Sequence, residues 1–315
     1  MRAMILAAGL GTRIAALSAL RPKPALPVRG VPLVAHLLEW LAAAGVTEVI
    51  VNLHHRADLM RATAERCRPP GVALSFSPEP APLGTGGGIA RAAGFLRASD
   101  PSIVIAGDML IDTRLDALVD AHRARDDAAT LLLRSDPRAA RFGSIGLDAE
   151  GVVRRIGASF DLGGAVREGL FVGVRLFSPR AFDALDRVAA ARGEDAAFED
   201  LRDWLAPELA RGARDVRGAL LAPDELVWEP VGTLREYLDA NLSPPALSYA
   251  PHPHPLAGAT RVEGDVVIGD GAVVEGGARL ARAVVWDGER VPASVDASDG
   301  VFAGGRFHRA EEPAA

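Results

Sequence analysis

The sequence predicts an α/β fold, a doubly wound and mostly parallel sheet followed by a short β-helix-like extension. Short aliphatic runs alternate with amphipathic stretches from residue 1 to about 135. A glycine-rich turn follows directly on the first of those runs. Near the carboxyl end, an aliphatic or aromatic residue returns at every sixth position.

Residues 3–7, 48–52, 73–76, 102–106 and 129–133 are short, β-prone and mainly apolar runs, as expected of buried parallel strands. Between them Leu33, Leu37 and Leu41 share one helical face, with Val34 and Leu38 beside it. Further helices are expected over 57–66, 88–96 and 115–123. Strand and helix in alternation imply ligands outside the carboxyl ends of the strands. Beyond residue 140, stretches 144–147 and 152–156 read as a hairpin around 148–151, and 170–177 as another strand. Helices follow over 180–190 and 198–209, then a last strand near 226–228.

This core is expected to end at residue 242. Residues 243–259 carry alternating prolines (Pro251-His252-Pro253-His254-Pro255), the pattern of a solvated polyproline linker. Val262, Ile268, Val274, Leu280 and Trp286 then recur at a period of six with glycines between them. That spacing suggests a short parallel β-helix over 260–300. So few hexads need packing against the main domain or a second copy of the chain. Residues 301–315 read as a tail, frayed from Phe307 onward.

The 315 residues give room for one large α/β domain and a smaller unit. A balance of 35 basic against 41 acidic side chains forces no basic face, which argues against a nucleic-acid partner; a polyphosphate needs only a local cluster. Cys67 is the single cysteine, so no internal disulfide forms. The chain opens on a strand rather than a signal peptide, and no apolar run reaches the roughly 18–20 residues of a membrane span. A cytoplasmic protein without a membrane partner is expected.

The first turn, Leu6-Ala7-Ala8-Gly9-Leu10-Gly11-Thr12-Arg13, exposes backbone N–H groups that suit anionic oxygens. Pro22-Lys23-Pro24 adds a second cation close behind. A dinucleotide fingerprint fails here: its third glycine is displaced, and no acid closes the second strand, which ends in Val51-Asn52-Leu53-His54-His55. No Gly-Lys-Ser/Thr follows, so a Walker A loop fails too. Asp108 stands after the fourth aliphatic run, where a carboxylate meets ligand in a doubly wound fold or serves as a turn or helix-cap residue. Asp112 is expected to cap the next helix.

These segments, with Leu83-Gly84-Thr85-Gly86-Gly87-Gly88, Ala106-Gly107-Asp108 and Val231-Gly232-Thr233, resemble the sugar-1-phosphate nucleotidyltransferases over roughly residues 1–240. The hexads resemble the left-handed β-helix appended to many members. The resemblance implies attack by a sugar-1-phosphate on a nucleoside triphosphate, with Mg²⁺ on the phosphates. It gives Leu6, Ala8, Gly9, Gly11 and Thr12 to the phosphate cradle, and Gly84, Thr85 and Gly86 to the base and ribose. Arg13 would hold the leaving pyrophosphate, Lys23 the reacting phosphates, Asp108 the metal, and Gly143, in a Phe-Gly-Ser-Ile-Gly stretch, the sugar. Glu199 and Asp200 resemble an acidic pair of the family, although a charged helix start explains them equally. Arg154 and Arg155 would meet the sugar phosphate or form a solvated strand face.

One departure stands out. The family's second metal carboxylate, in Trp-x-Asp-x-Gly-Thr, falls at Pro230 in Trp228-Glu229-Pro230-Val231-Gly232-Thr233. Three readings stay open: Asp108, phosphates and water hold the metal alone; Glu229 reaches in through a bulge; or the chain is a non-catalytic nucleotide-sugar sensor or partner subunit.

Overall fold

A computed structural model describes residues 1–139, 143–193 and 195–310. The parallel core comprises β1 (Arg2–Leu6), β2 (Glu48–Leu53), β3 (Ala73–Pro78) and β4 (Ser102–Ala106). They lie in the order β4-β1-β2-β3, all parallel. After β4 come β5 (Met109–Asp112), β6 (Ala129–Arg134), the short β7 (Ser144–Leu147), β8 (Val153–Ile156) and β9 (Phe160–Asp161), and the long β10 (Arg167–Phe177). Strand β10 joins the far edge of β4 antiparallel and carries β6 and the β7–β9 meander. Then β11 (Val216–Leu221) pairs parallel with β6, and β12 (Val227–Pro230) forms a separate ribbon with β5.

Alternation along β1 builds the two faces. Ala3 and Ile5 pack with Leu37, Leu38 and Leu41 of α1 (Leu33–Ala43). Met4 points the other way, toward Ile89 of α2 (Gly84–Arg91) and Val104 of β4. Each fully buried leucine contributes about 1.5–3 kcal/mol relative to exposure. This is the expected mixed α/β architecture with helices on both faces.

Several local expectations change. The glycine run 84–88 is not a loop before a helix but the first turns of α2 itself. Strands β5 and β11 have no counterpart among the expected strands. Asp112 does not cap the helix Leu115–Ala124; its carboxylate accepts from Ser248 N at 2.5 Å and Ser248 Oγ at 2.9 Å. Among the described residues, no helix is long and apolar enough to cross a membrane.

The carboxyl-terminal segment stacks β-strands in parallel. Val266, Ala283 and Gly300 lie in register, so each coil takes 17 residues rather than three full hexads. Val262 belongs to an antiparallel strand, Arg261–Glu263, that closes one end of the stack, and it is 47% exposed. The other end is closed by Arg306–Arg309, which overlaps the stretch expected to fray from Phe307 onward; residues 311–315 lie outside the described residues. The stack shares a core with the main domain: Val284, Trp286 and Val301 pack with Leu17, Leu26 and Tyr237, the last from α3 (Leu234–Leu242). The proline-rich segment is docked rather than solvated. His254 Nε2 lies 2.9 Å from both Glu39 carboxylate oxygens, and Leu256 and Ala257 pack on the core.

Candidate active site

The cleft lies at the carboxyl ends of β1, β2 and β4, as this topology requires. Beyond Leu6 the chain turns through Gly11, whose φ of +64° is open to glycine at no cost. A Cβ there would also sit 2.2 Å from Ser18 Oγ, the hydroxyl that donates to Gly11 O at 3.2 Å and closes the turn. Lys23 follows in a tight turn, Lys23–Ala25. Gly107 N donates to Leu6 O at 3.0 Å, and Val231 N to Asp108 O at 2.8 Å. These bonds set Asp108 beside the first loop, where Lys23 Nζ is 2.8 Å from Asp108 Oδ2.

The opposite wall is the start of α2. Its free N–H groups need acceptors, and Phe198 O supplies one to both Gly86 N and Gly87 N, at 2.9 and 3.2 Å. The Thr85 hydroxyl lies 2.7 Å from Glu199 Oε2 and 2.6 Å from Asp200 Oδ1. Asp200 is buried and pairs with Arg175 through two guanidinium nitrogens, one of them at 3.2 Å. The open cleft between the two walls, about 310 Å³, falls at the small end of small-molecule sites.

Leu6, Ala8, Gly9, Gly11, Lys23, Gly84, Thr85 and Asp108 all line this cleft. Thr12, Arg13, Gly86 and Gly143 are not among the lining residues. Gly86 lies against the Phe198 ring, and Arg13 Nη2 lies close to Gly232. Gly143 is exposed, and its neighbour Phe142 lies outside the described residues. Arg154 and Arg155 do not reach the cleft: Arg155 pairs with Glu168, and Arg154 Nε donates to Gly163 O. Asn52, Glu79 and Arg175 line the cleft although the sequence motifs give them no role. The sequence signal for Asn52 and Glu79 is position, at and just past strand ends, whereas Arg175 lies within β10.

Glu229 does not replace the absent carboxylate through a bulge, because β12 pairs with β5 residue for residue from Val227–Asp112 to Pro230–Met109. Its carboxylate instead lies 3.8 Å from Arg138, and burial holds its pKa above the ordinary value against the pull of that arginine. Among the described residues, no three His, Cys, Asp or Glu side chains gather to hold a metal. Among the described residues, three carboxylates line the cleft: Glu79 is held by Asn52 and Leu83 N, Glu199 lies beside the Thr85 hydroxyl, and Asp108 stands next to Lys23 at the end of β4. The Asp108 carboxylate fits a Mg²⁺ carried mainly by phosphates and water, and not a protein cage.

Comparison with known proteins agrees with this fold. Residues 2–244 match the nucleotidyl transferase family, and the chain belongs to it. A mannose-1-phosphate guanylyltransferase of Mycobacterium tuberculosis is 34% identical over 313 residues, spanning 92% of this chain and 81% of that protein. A mannose-1-phosphate guanyltransferase of Candida albicans is 33% identical over 147 residues, 46% of this chain and 41% of its own length. HddC from Yersinia pseudotuberculosis shares the fold with a TM-score of 0.59 at 24% identity, covering 76% of this chain and 97% of that one; its crystal structure complexed with GMP-PN matches equally.

Proposed function

We propose that this chain transfers a nucleotidyl group from a nucleoside triphosphate to a sugar-1-phosphate in the cytoplasm, yielding an NDP-sugar and pyrophosphate. GTP and mannose-1-phosphate are the proposed pair. The observation that carries this reading is the near full-length similarity to a mannose-1-phosphate guanylyltransferase, joined to a cleft lined by both glycine segments, Lys23 and Asp108.

In this reading a sugar-phosphate oxygen attacks the α-phosphorus, a new P–O bond forms, and the bond to the β-phosphate bridging oxygen breaks. The attacking phosphate is already anionic, so no base is needed. Catalysis then reduces to positioning and charge stabilisation. Backbone amides of Ala8, Gly9, Gly11 and Thr12 orient the phosphates. Lys23 neutralises charge on the reacting phosphoryl group, and Arg13 holds the departing pyrophosphate. Gly84, Thr85 and Gly86 border the base and ribose, while the loop at Gly143 covers the sugar. Asp108 would hold Mg²⁺, which supplies charge neutralisation across phosphate oxygens when bound.

The test is pyrophosphate release by purified protein with Mg²⁺, across four nucleoside triphosphates and a panel of sugar-1-phosphates. Turnover with GTP and mannose-1-phosphate above every other pair supports the reading. Absence of turnover with any pair overturns it.

A further inference from the structure

Two loops border the cleft, one after β1 and one between β3 and α2, and β2 separates their roots. A buried chain of hydrogen bonds crosses that gap. Asn52 Oδ1 accepts from Ala7 N at 2.6 Å, and Asn52 Nδ2 donates to Glu79 Oε1 at 2.7 Å. Glu79 Oε2 in turn accepts from Leu83 N at 3.1 Å. Asn52 is 3% exposed and Glu79 5%, so water cannot stand in for either partner. A Cβ on Gly88 would lie 2.9 Å from Glu79 Oε1 and 3.1 Å from Asn52 Nδ2, so the brace also fills the space that residue leaves.

We propose that Asn52 and Glu79 are positioning residues that set the separation of the two loops, and thereby the affinity for nucleotide. The inference rests on reading the cleft as the nucleotide site. Ala7 N–H is consumed by the brace, which fixes the direction in which the amides of Ala8 and Gly9 point. Leu83 N–H is consumed likewise, and this fixes the start of α2 beside Thr85. Neither brace side chain needs to touch the reacting atoms.

The polarity of the middle bond provides a direct test. Glu79→Gln alone sets two donors against each other at one end, and Asn52→Asp alone sets two acceptors together. In the double variant Asn52→Asp/Glu79→Gln, the new carboxylate accepts from Ala7 N and from the new side-chain amide. The oxygen of that amide accepts from Leu83 N. All three bonds return at unchanged net charge.

Nucleotide dissociation constants are measured by calorimetry with GTP and Mg²⁺ on wild type, both single variants and the double variant. Melting temperatures are recorded without nucleotide. Each single variant should weaken binding by about tenfold or more, and the double variant should return to within about threefold of wild type. Folded single variants that bind as wild type, or a double variant no better than the worse single one, would overturn the proposal. A wild type that binds no nucleotide would instead remove the reading of the cleft on which it rests.

Discussion

Lys23 Nζ and Asp108 Oδ2 stand 2.8 Å apart, closing a gap between the first loop and the end of β4. The lysine side chain is 11% exposed and the aspartate 35%, so the pair sits at the cleft wall rather than deep in the core. A polyphosphate entering between them would compete for the ammonium and hand the carboxylate to a divalent cation.

Asp108→Ala and Lys23→Ala should therefore fold and yet lose turnover. Removing one preorganised charge-stabilising group from a dry site typically costs about 10²–10³ in rate. Loss of a partly exposed ion pair costs about 1 kcal/mol of stability or less. Circular dichroism melts alongside pyrophosphate release separate the two effects. A loss of activity that merely tracks unfolding would contradict the assignment.

Pro230 stands beside Asp108, since Val231 N donates to Asp108 O and Pro230 pairs with Met109. Pro230→Asp should add a second hard oxygen donor there. The expected outcome is half-maximal activation at several-fold lower Mg²⁺, read from initial rates in a metal titration. Chelation of the metal should abolish turnover in both proteins. An unchanged Mg²⁺ dependence would mean that position 230 does not face the ion.

Among the described residues, neither nitrogen of the buried His36 ring has a hydrogen-bond partner of ordinary geometry. Burial, with a smaller contribution from His254, pushes its pKa down from 6.5 to about 4, against a weak pull from the Val28 backbone. The unfolded chain takes up this proton below about pH 6.5 while the folded chain refuses it. Stability from this group is thus intact above pH 6.5 and falls as the pH drops toward 4. Between pH 6.5 and 5 the loss is about 2 kcal/mol. His122, whose pKa burial also lowers, steepens the same slope. The comparison that isolates His36 is urea unfolding of wild type against His36→Phe at pH 7 and pH 5; equal losses in the two proteins would refute the claim.

Trp286 Nε1 donates to Tyr237 Oη at 2.9 Å, and that hydroxyl donates to Pro27 O at 2.6 Å. The Trp286 ring also lies under the Arg21 guanidinium, 4.6 Å from ring centroid to carbon. Both Arg21 and Pro27 flank Lys23. Trp286→Phe should cost about 1 kcal/mol through the lost hydrogen bond, and Trp286→Ala about 3–5 kcal/mol. Calorimetry should show one transition for the wild type and weaker GTP binding for Trp286→Ala.

The parallel core was legible because its strands are short and mainly aliphatic, and a run such as residues 103–106 admits few other structures. Strand β5 was not, because Met109–Asp112 is a short strand whose partner, Val227–Pro230, lies far along the chain. The linker was misread for a related reason: prolines report backbone preference, whereas docking depends on Asp112 and Glu39, which are remote in sequence. Cleft-lining residues such as Gly9, Gly11 and Gly84 were legible because backbone exposure leaves a compositional trace. Asn52, Glu79 and Arg175 leave none, since a buried hydrogen-bonding role can fall to many polar residues.

The shared packing around Tyr237 has a practical corollary. Deleting everything past residue 242 would look like pruning an appendage, but it would lay Leu17, Leu26 and Tyr237 open to water. It would also leave Glu39 and Asp112 without the groups that hold them. The amino-terminal portion is therefore a poor choice as a minimal fragment, and expression work should keep the chain through Ala310.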